Sequence, residues 1–347
     1  MFRSLLCCLA ILLLYTSLYA QHVKEFEIPL SEVKFQNSKY NNIRLIDLRT
    51  DTTSYGAVQT GAFNRYAKVI VKQPLSAQLS LWFNSAIDNT AHKGSLLLLL
   101  RQFSFAEITG AVSEKGYCYL RAGLYKENAQ KFEYITSIDT MLTLKSSIDV
   151  TKALLKTGAE TLEGFISRNL LSEPSGAIYT YNDILNLDSL EKSKIKVYNT
   201  SVYTDGLYLT YKSFMDQKPD KQLKVNGYDL NMAEIKAIDD NNKTQRVKKQ
   251  NVYAIVFHGE PFIATKFEYY PLKRVNNDFF FTGKANSTAN TGDVIVASAF
   301  LGIIGGLMAS DGAVSTYDMK IDHVNGAFIK LKEIPDPVVT ISKNEDY

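Results

Sequence analysis

Cysteine and histidine, the side chains with the widest chemical range, are few and scattered in this sequence. No two of the four histidines have the spacing that metal ligands take on one helix or strand, so the sequence predicts no metal centre. The signature motifs of zinc proteases, serine hydrolases, phosphate-binding loops and dithiol redox sites do not occur either. We therefore expect no catalytic residue and no cofactor, and the nearest candidates are Cys118, His22, His92, His258 and His323.

Cys118 is the one thiol that lies outside the first twenty residues. A lone cysteine with distant histidines is a pattern that some nucleophilic enzymes show. Here, however, Cys118 alternates with Leu120 and Ala122, which places all three side chains on one face of a strand. A thiol buried on such a face is inert, so a structural role is predicted.

Three further groups of polar residues have both a structural and a functional interpretation. Asp47 and Arg49 flank a strand end before a long loop, and an ion pair is favoured over a site. His258 is expected in a turn and His323 at the end of a strand. The basic run at 246–249, RVKK, is most simply a solvated hairpin arm, and the alternative is a patch for lipid headgroups.

The amino terminus has the pattern of a secretory signal peptide. Arg3 supplies the positive charge, an apolar stretch follows from Leu5 to Tyr15, and Ala20 closes a cleavage site. The apolar stretch is shorter than the about 20 residues that a membrane-spanning helix needs, which disfavours an uncleaved anchor. We therefore expect residues 1–20 to be removed and the mature chain to be exported. Its predicted location is the periplasm or the outer membrane surface, without a lipid anchor.

The composition argues against a disulfide-stabilised protein and against a nucleic-acid-binding protein. After removal of the signal peptide only Cys118 remains, so no internal disulfide can form and the core alone must stabilise the fold. The 39 basic and 36 acidic residues are nearly balanced, and no basic block suits nucleic acid. The 21 tyrosines and 18 phenylalanines favour a fold rich in β-strands.

Hydrophobic patterns divide the first half, residues 21–171, into strands and two helices. Pro74 begins a segment in which Leu75, Leu79, Trp82 and Ala86 fall on one helical face. The order strand, strand, helix, three strands, helix predicts an α+β domain, with both helices on one face of a mostly antiparallel sheet. The predicted elements are strands at 42–48, 67–72, 95–103, 117–126 and 131–142, and helices from 74 and from 150 to 171.

The residue pattern changes after residue 171, and this change predicts a second domain. Residues 172–177, SEPSGA, form the predicted linker, because serine, proline and glycine interrupt helices and strands and the segment shows no periodicity. Beyond it, short β-rich runs predict a small β domain at 178–334, followed by a tail at 335–347. His258-Gly259 and Asn325-Gly326 are expected at hairpin tips.

An apolar run, Val294 to Ala309, interrupts the β domain, and we define residues 290–313 as the apolar insertion. As a helix its sixteen residues reach about 24 Å, less than the about 30 Å of a bilayer core, so a membrane span is disfavoured. Small residues recur every four positions and line one helical face, which lets another backbone come close. That face either packs within its own domain or docks on a partner, a lipid surface or a second copy through 294–310. Its residues are Ser298, Gly302, Gly306 and Ser310.

Two resemblances accompany these patterns. Three features of the first half carry the first resemblance: Asp47-Leu48-Arg49 after an early strand, Pro74-Leu75-Ser76 before a helix, and the strand LLLLLRQF. This order resembles the periplasmic auxiliary lipoproteins of envelope transport systems. Those proteins carry a lipidated cysteine that this chain lacks, so the resemblance does not imply tethering to a membrane. The second half, with DGLYLTYKSFMDQKP, VYAIVFHGEPF and YYPL, resembles uncharacterised exported bacterial proteins, which implies an envelope location.

The sequence favours a non-enzymatic envelope protein that binds a protein partner or a membrane surface. The alternative is an envelope hydrolase whose carboxylate pair is assembled only by the fold. Such a pair leaves no trace in a sequence, because the separation of the two carboxyl groups is set by tertiary structure.

Overall fold

The structure, a computed structural model, describes residues 22–60, 65–109, 114–146, 149–227, 229–238, 241–286 and 314–335. The fold is mixed α/β and rich in strands. Contacts divide the chain into two compact units, Met1–Leu185 and Asn186–Tyr347. Within the described ranges, no helix combines the length and the apolar character needed to span a membrane. The predicted signal peptide lies outside these ranges, as does nearly all of the predicted tail.

The first unit is built on one large sheet, which three helices accompany. Its described strands are β1 Val23–Glu25, β2 Asn42–Asp47, β3 Gly56–Thr60, β4 Arg65–Ile70, β5 Ser95–Thr109, β6 Glu114–Asn128, β7 Lys131–Ser146 and β8 Ile178–Thr180. Its described helices are α1 Leu75–Ala86, α2 Thr151–Ser167 and α3 Tyr181–Leu185.

Most paired residues of the large sheet are antiparallel, as predicted, but three of its strand pairs are parallel. Its strand order is β1-β4-β3-β5-β6-β7-β8, and β2 also pairs with β5. Strands β5, β6 and β7 pair antiparallel, as predicted, and so do β3 with β4 and β7 with β8, whereas β1, β2 and β3 each make a parallel pair. Both β2 and β3 pair with β5, at 95–100 and at 105–106, and the register of β5 against β6 shifts between these stretches. β8 follows the predicted linker and belongs to this sheet.

Strand β3 lies inside the segment that the sequence assigns to a long loop. Gly56, its first residue, has φ +93°, and a Cβ there would lie 2.1 Å from the carbonyl oxygen of Phe105. Only glycine allows the chain to come this close to β5. The loop prediction was wrong for 56–60, because this segment pairs antiparallel with β4, which follows it in the chain, and parallel with the distant strand β5.

Helices α1 and α2 contribute to one buried core. Leu79 and Trp82 of α1 and Leu162 of α2 belong to the same cluster as Leu98 of β5 and Leu120 of β6. All five side chains are at most 2% exposed. Alternate residues of these strands face the helices, which is the arrangement that a period of two along a strand and 3.6 along a helix predicts.

The second unit combines three small sheets with short helices. Its described strands are β9 Gly206–Tyr208, β10 Gln222–Asn226, β11 Glu234–Ile238, β12 Thr244–Arg246, β13 Ala254–Phe257, β14 Glu260–Ala264, β15 Tyr269–Pro271, β16 Lys273–Val275, β17 Asp278–Asn286, β18 Val314–Ile321 and β19 Phe328–Ile334. Its described helices are α4 Leu187–Ser193, α5 Lys196–Asn199, α6 Tyr211–Met215 and a 3-10 helix at Lys249–Asn251.

Both predicted hairpin tips are confirmed. His258 and Gly259, with φ +54° and +77°, join β13 to β14, and Gly326, with φ +76°, lies between β18 and β19. The sheets have the orders β10-β11-β12, β15-β14-β13-β9 and β16-β17-β18-β19. The prediction of a purely β-rich second half was wrong for 181–215, where four short helices lie.

Strands β17 and β18 flank the apolar insertion and pair antiparallel, with Asn286 opposite Val314. Asn286 and Val314 therefore lie side by side at one end of the two central strands of the four-stranded sheet. The buried Lys330 of β19 donates to the carbonyl oxygen of Asn286 at 2.6 Å and lies over the ring of Tyr317. The predicted face formed by Ser298, Gly302, Gly306 and Ser310 lies outside the described residues.

Candidate functional site

The thiol and the strand-end pair of the first unit have the structural roles predicted for them. Cys118 is fully buried on β6, and burial raises the pKa of its thiol to about 12, so the reactive thiolate is not formed at neutral pH. Arg49 pairs with Asp47 at 2.8 Å, and its guanidinium lies 3.9 Å from the ring centroid of Tyr55. The buried Arg49 also donates to the carbonyl oxygen of Ser54, so its donors serve the local fold.

Three carboxylates meet at the start of α2, where sequence reasoning found no site. They are Glu107 of β5, Glu114 of β6 and Asp149, and one oxygen from each lies within 4.8 Å of the others. Thr151 Oγ1 donates to Glu107 Oε2 at 2.6 Å and lies 3.1 Å from the carbonyl oxygen of Gln59. Glu107 is only 2% exposed, so this carboxyl is held inside the protein and does not face a ligand.

Burial is the main cause of an unusual pKa in this carboxylate cluster. Together with the smaller effect of the negative charges of Glu114 and Asp149, and against the hydrogen bond from Thr151, it raises the pKa of Glu107 to about 7. When Glu107 is protonated, its hydroxyl can donate to Thr151 Oγ1 across the 2.6 Å contact. The hydroxyl proton of Thr151 can then be donated to the carbonyl oxygen of Gln59. Glu107 therefore takes up a proton near neutral pH, well above the usual range of a glutamate.

Replacing Glu107 by glutamine is expected to stabilise the protein above pH 7. Because the folded pKa is raised, the wild-type contribution of Glu107 to stability is complete below its unfolded pKa and is lost as pH rises through about 7. Glutamine is neutral at every pH, so from pH 5 to pH 8 the variant should gain about 2 kcal/mol relative to wild type. Urea unfolding at both pH values measures this gain. The exposed Glu32→Gln variant should show none, and an equal response in both variants would contradict the assignment.

The second unit carries a row of cations on the sheet β10-β11-β12. Lys224 lies directly opposite Lys236, and Lys236 lies directly opposite Arg246. Residues directly opposite in antiparallel strands share one face, so the three cations form a line across the sheet, which we call the cation row. Like charges at such positions are unfavourable. Glu234 pairs with Lys236 at 2.9 Å and offsets part of this repulsion.

A groove begins at the end of the cation row. It has a volume of about 490 Å³ and is lined by residues of two segments, 230–235 and 246–250, and by Tyr269. Arg246, Lys248 and Lys249 contribute three positive charges to it, against the single negative charge of Glu234. The predicted basic run 246–249 is therefore more than a hairpin arm, because it forms one wall of a cation-lined groove.

Hydrogen bonds fix the walls of the groove. Asn231 accepts from the backbone nitrogen of Tyr269 at 2.7 Å and donates to its carbonyl oxygen at 3.1 Å. Lys249 donates to the carbonyl oxygen of Phe267 and lies 4.9 Å from the Tyr269 ring centroid. These contacts hold both walls against β15, so the groove is part of the folded structure.

Met232 lies in the chain between Asn231 and Ala233, two residues that line this groove. Its side chain is 89% exposed, although the turn that carries it is ordered by hydrogen bonds from Met232 N and Ala233 N to the carbonyl oxygen of Asp229. The side-chain oxygen of Asp229 also accepts from the backbone of Asn231 at 2.8 Å. The fold therefore holds an apolar side chain in solvent beside a group of cations.

The two histidines at predicted hairpin positions differ in their surroundings. His258 occupies the solvent-facing β13–β14 turn, as predicted. His323 follows β18 and is buried, and its Nε2 lies 2.8 Å from Oε2 of Glu191 in α4. This pair could not be predicted from residue spacing, because the two residues are 132 positions apart.

Comparisons with known proteins name no activity. No protein-family model and no curated protein matches the chain. One similar solved structure is a Xanthomonas campestris protein of the family DUF330, with 10% identity, a TM-score of 0.28, and coverage of 49% of this chain and 99% of that chain. Another is an uncharacterized protein with 12% identity, a TM-score of 0.23, and coverage of 43% and 99%. Neither similarity identifies a substrate or a partner.

Proposed function

We propose that the protein is a non-enzymatic binding protein of the cell envelope and that its second unit docks on an anionic membrane surface. The observation that carries the proposal is the joint presence of the cation row on the sheet β10-β11-β12, the cation-lined groove beside it and the exposed Met232 in the β10–β11 connection. Export to the periplasm or the outer membrane surface is part of the proposal and is supported by the signal-peptide pattern at residues 1–20.

Charge complementarity favours lipid headgroups as the occupant. Each lysine or arginine near an anionic bilayer contributes about 1 kcal/mol to binding, and the contribution weakens as salt rises. Four cations can approach one flat surface together. Lys224, Lys236 and Arg246 lie on one face of the sheet, and Lys248 follows shortly after Arg246 in the chain. Headgroup phosphates also relieve the repulsion along the cation row.

The exposed methionine adds an apolar contribution. A flexible thioether side chain held out from a fixed turn can enter the boundary between headgroups and acyl chains. Binding at a membrane interface combines cations, which attract anionic lipids, with apolar side chains that enter the headgroup boundary. An acidic protein partner would use the cations, but it gives no reason for a solitary methionine in solvent.

Vesicle sedimentation of the mature chain tests this proposal. We expect binding to vesicles that contain phosphatidylglycerol, weakened by salt, and little binding to vesicles of phosphatidylcholine alone. The triple variant Lys224→Gln, Arg246→Gln, Lys248→Gln should lose affinity about a hundredfold at low salt, because three contributions of about 1 kcal/mol are removed. Met232→Ala should weaken binding severalfold without changing its salt dependence.

A matched control separates this surface from general charge effects. The variant Lys93→Gln, Lys131→Gln, Lys152→Gln removes three exposed lysines from the first unit and should bind like wild type. Deletion of residues 290–313 should leave the charge-dependent binding intact. Equal binding to both kinds of vesicle, or an unchanged triple variant, would refute the membrane proposal, and capture of an acidic protein without vesicle binding would replace it.

The carboxylate cluster of the first unit does not favour the hydrolase alternative. Its perturbed carboxyl, Glu107, is buried and bonded to Thr151. A general acid must reach the atom that it protonates. The position of Glu107 therefore supports a structural role.

A further inference from the structure

Three potential metal ligands converge in the second unit, away from the cation row. They are Asp188 and Glu191 of α4 and His323, and one ligand atom from each lies within 4.8 Å of the others. Asp188 and Glu191 are three positions apart, which places both side chains on one face of the helix. His323 reaches them from the β18–β19 hairpin.

We propose that Asp188, Glu191 and His323 bind a divalent metal ion of the zinc class. Oxygen and nitrogen ligands lie about 2.0–2.2 Å from zinc, so ligand atoms around a tetrahedral ion are about 3.3 Å apart. The present separations, 2.8 Å between Glu191 and His323 and none above 4.8 Å, require only small side-chain movements to reach that spacing. An imidazole ligand selects zinc and similar transition metals over magnesium and calcium.

The histidine is fixed before any ion binds. Tyr211 donates its hydroxyl proton to the carbonyl oxygen of His323 at 2.8 Å, and its ring packs against Gly326, where a Cβ would lie 2.2 Å from Tyr211 Cγ. Asp322 donates its backbone N–H to Ala327 and accepts from Gly326, each at 2.8 Å, which closes the hairpin. These contacts order the backbone at His323, and its side chain is buried and lies 2.8 Å from Glu191, so it loses little conformational freedom when it binds a metal.

The helix that carries the carboxylates is held independently. Lys192, next to Glu191, donates to Asp278 Oδ1 at 2.6 Å, which ties α4 to the start of β17. The ammonium group of Lys192 is thus engaged with Asp278 rather than with Glu191. Asp188 is exposed, Glu191 is half-buried and His323 is buried, so the cluster opens to solvent on one side. An open side gives the ion an entry path and leaves a coordination position for water.

Calorimetric titration of the mature chain with zinc chloride tests the proposal. We expect one zinc ion per chain, with at least a tenfold loss of affinity in His323→Gln and in Asp188→Asn. Asp188 is exposed, so its variant should fold even if His323→Gln does not. The matched controls are His258→Gln, at an exposed hairpin, and Glu107→Gln, in the other carboxylate cluster, and both should bind like wild type.

Two further measurements do not depend on calorimetry. Zinc at one hundred times its dissociation constant should raise the melting temperature by about 5 °C, and a chelator should reverse the increase. Cobalt bound in place of zinc should give a visible absorption band that His323→Gln lacks. Absence of zinc binding at micromolar concentrations, or unchanged binding in both His323→Gln and Asp188→Asn, would overturn the assignment.

Discussion

Replacement of Asp278 by alanine is expected to lower the free energy of unfolding of the second unit by about 3 kcal/mol, because it leaves a buried charge without its partner. Asp278 Oδ1 accepts from Lys192 at 2.6 Å and Oδ2 accepts from Lys320 at 2.9 Å. The Lys192 side chain is only 9% exposed, so water cannot replace the lost carboxylate. Urea unfolding followed by far-ultraviolet circular dichroism measures the change.

An exposed ion pair in the same unit provides the control. Lys284 lies 2.9 Å from Glu268, and their side chains are 49% and 39% exposed. Pairs of this kind contribute about 0–1 kcal/mol, so Glu268→Ala should have a small effect. A loss in Glu268→Ala as large as that in Asp278→Ala would show that burial of Lys192 does not determine the result.

Features that depend on neighbouring residues were predictable from the sequence. Helix α1 was expected from Pro74 and the spacing of its apolar residues, and the His258-Gly259 turn from a glycine between two β-rich runs. Both signals lie within a few residues, where local geometry decides the structure. The short helices at 181–215 were missed because each has four to seven residues and shows too little periodicity.

Features that depend on register could not be predicted. Lys224, Lys236 and Arg246 form a row only because three strands pair in one register, and a shift of one residue would turn alternate side chains to the other face. The parallel pairing of β3 with β5 likewise joins segments that are distant in the chain. His323 and Glu191 meet across 132 positions, which no motif spacing encodes. The basic run 246–249 was recognised, but its partners across the groove were not.

Two glycines of α2 should respond to alanine with opposite signs, which tests how closely this helix packs on the sheet. Alanine normally stabilises a helix by about 1 kcal/mol relative to glycine. At Gly158, however, an added Cβ would lie 2.4 Å from Cε1 of Phe105 and 3.2 Å from Sγ of Cys118, both fully buried. Overpacking of a core costs about 1–3 kcal/mol, so Gly158→Ala should destabilise the first unit by about 2 kcal/mol.

Gly164 is the matched position on the same helix. The nearest atom to an added Cβ there is Nη1 of Arg168 at 3.0 Å, the end of a flexible side chain that can move away. Gly164→Ala should therefore stabilise the first unit by about 0.5–1 kcal/mol. Trp82, the single tryptophan, is buried in the first unit, so its fluorescence during urea unfolding reports both variants. Changes of the same sign would mean that α2 does not lie against Phe105 and Cys118, and the burial that makes the Cys118 thiol inert would lose its structural basis.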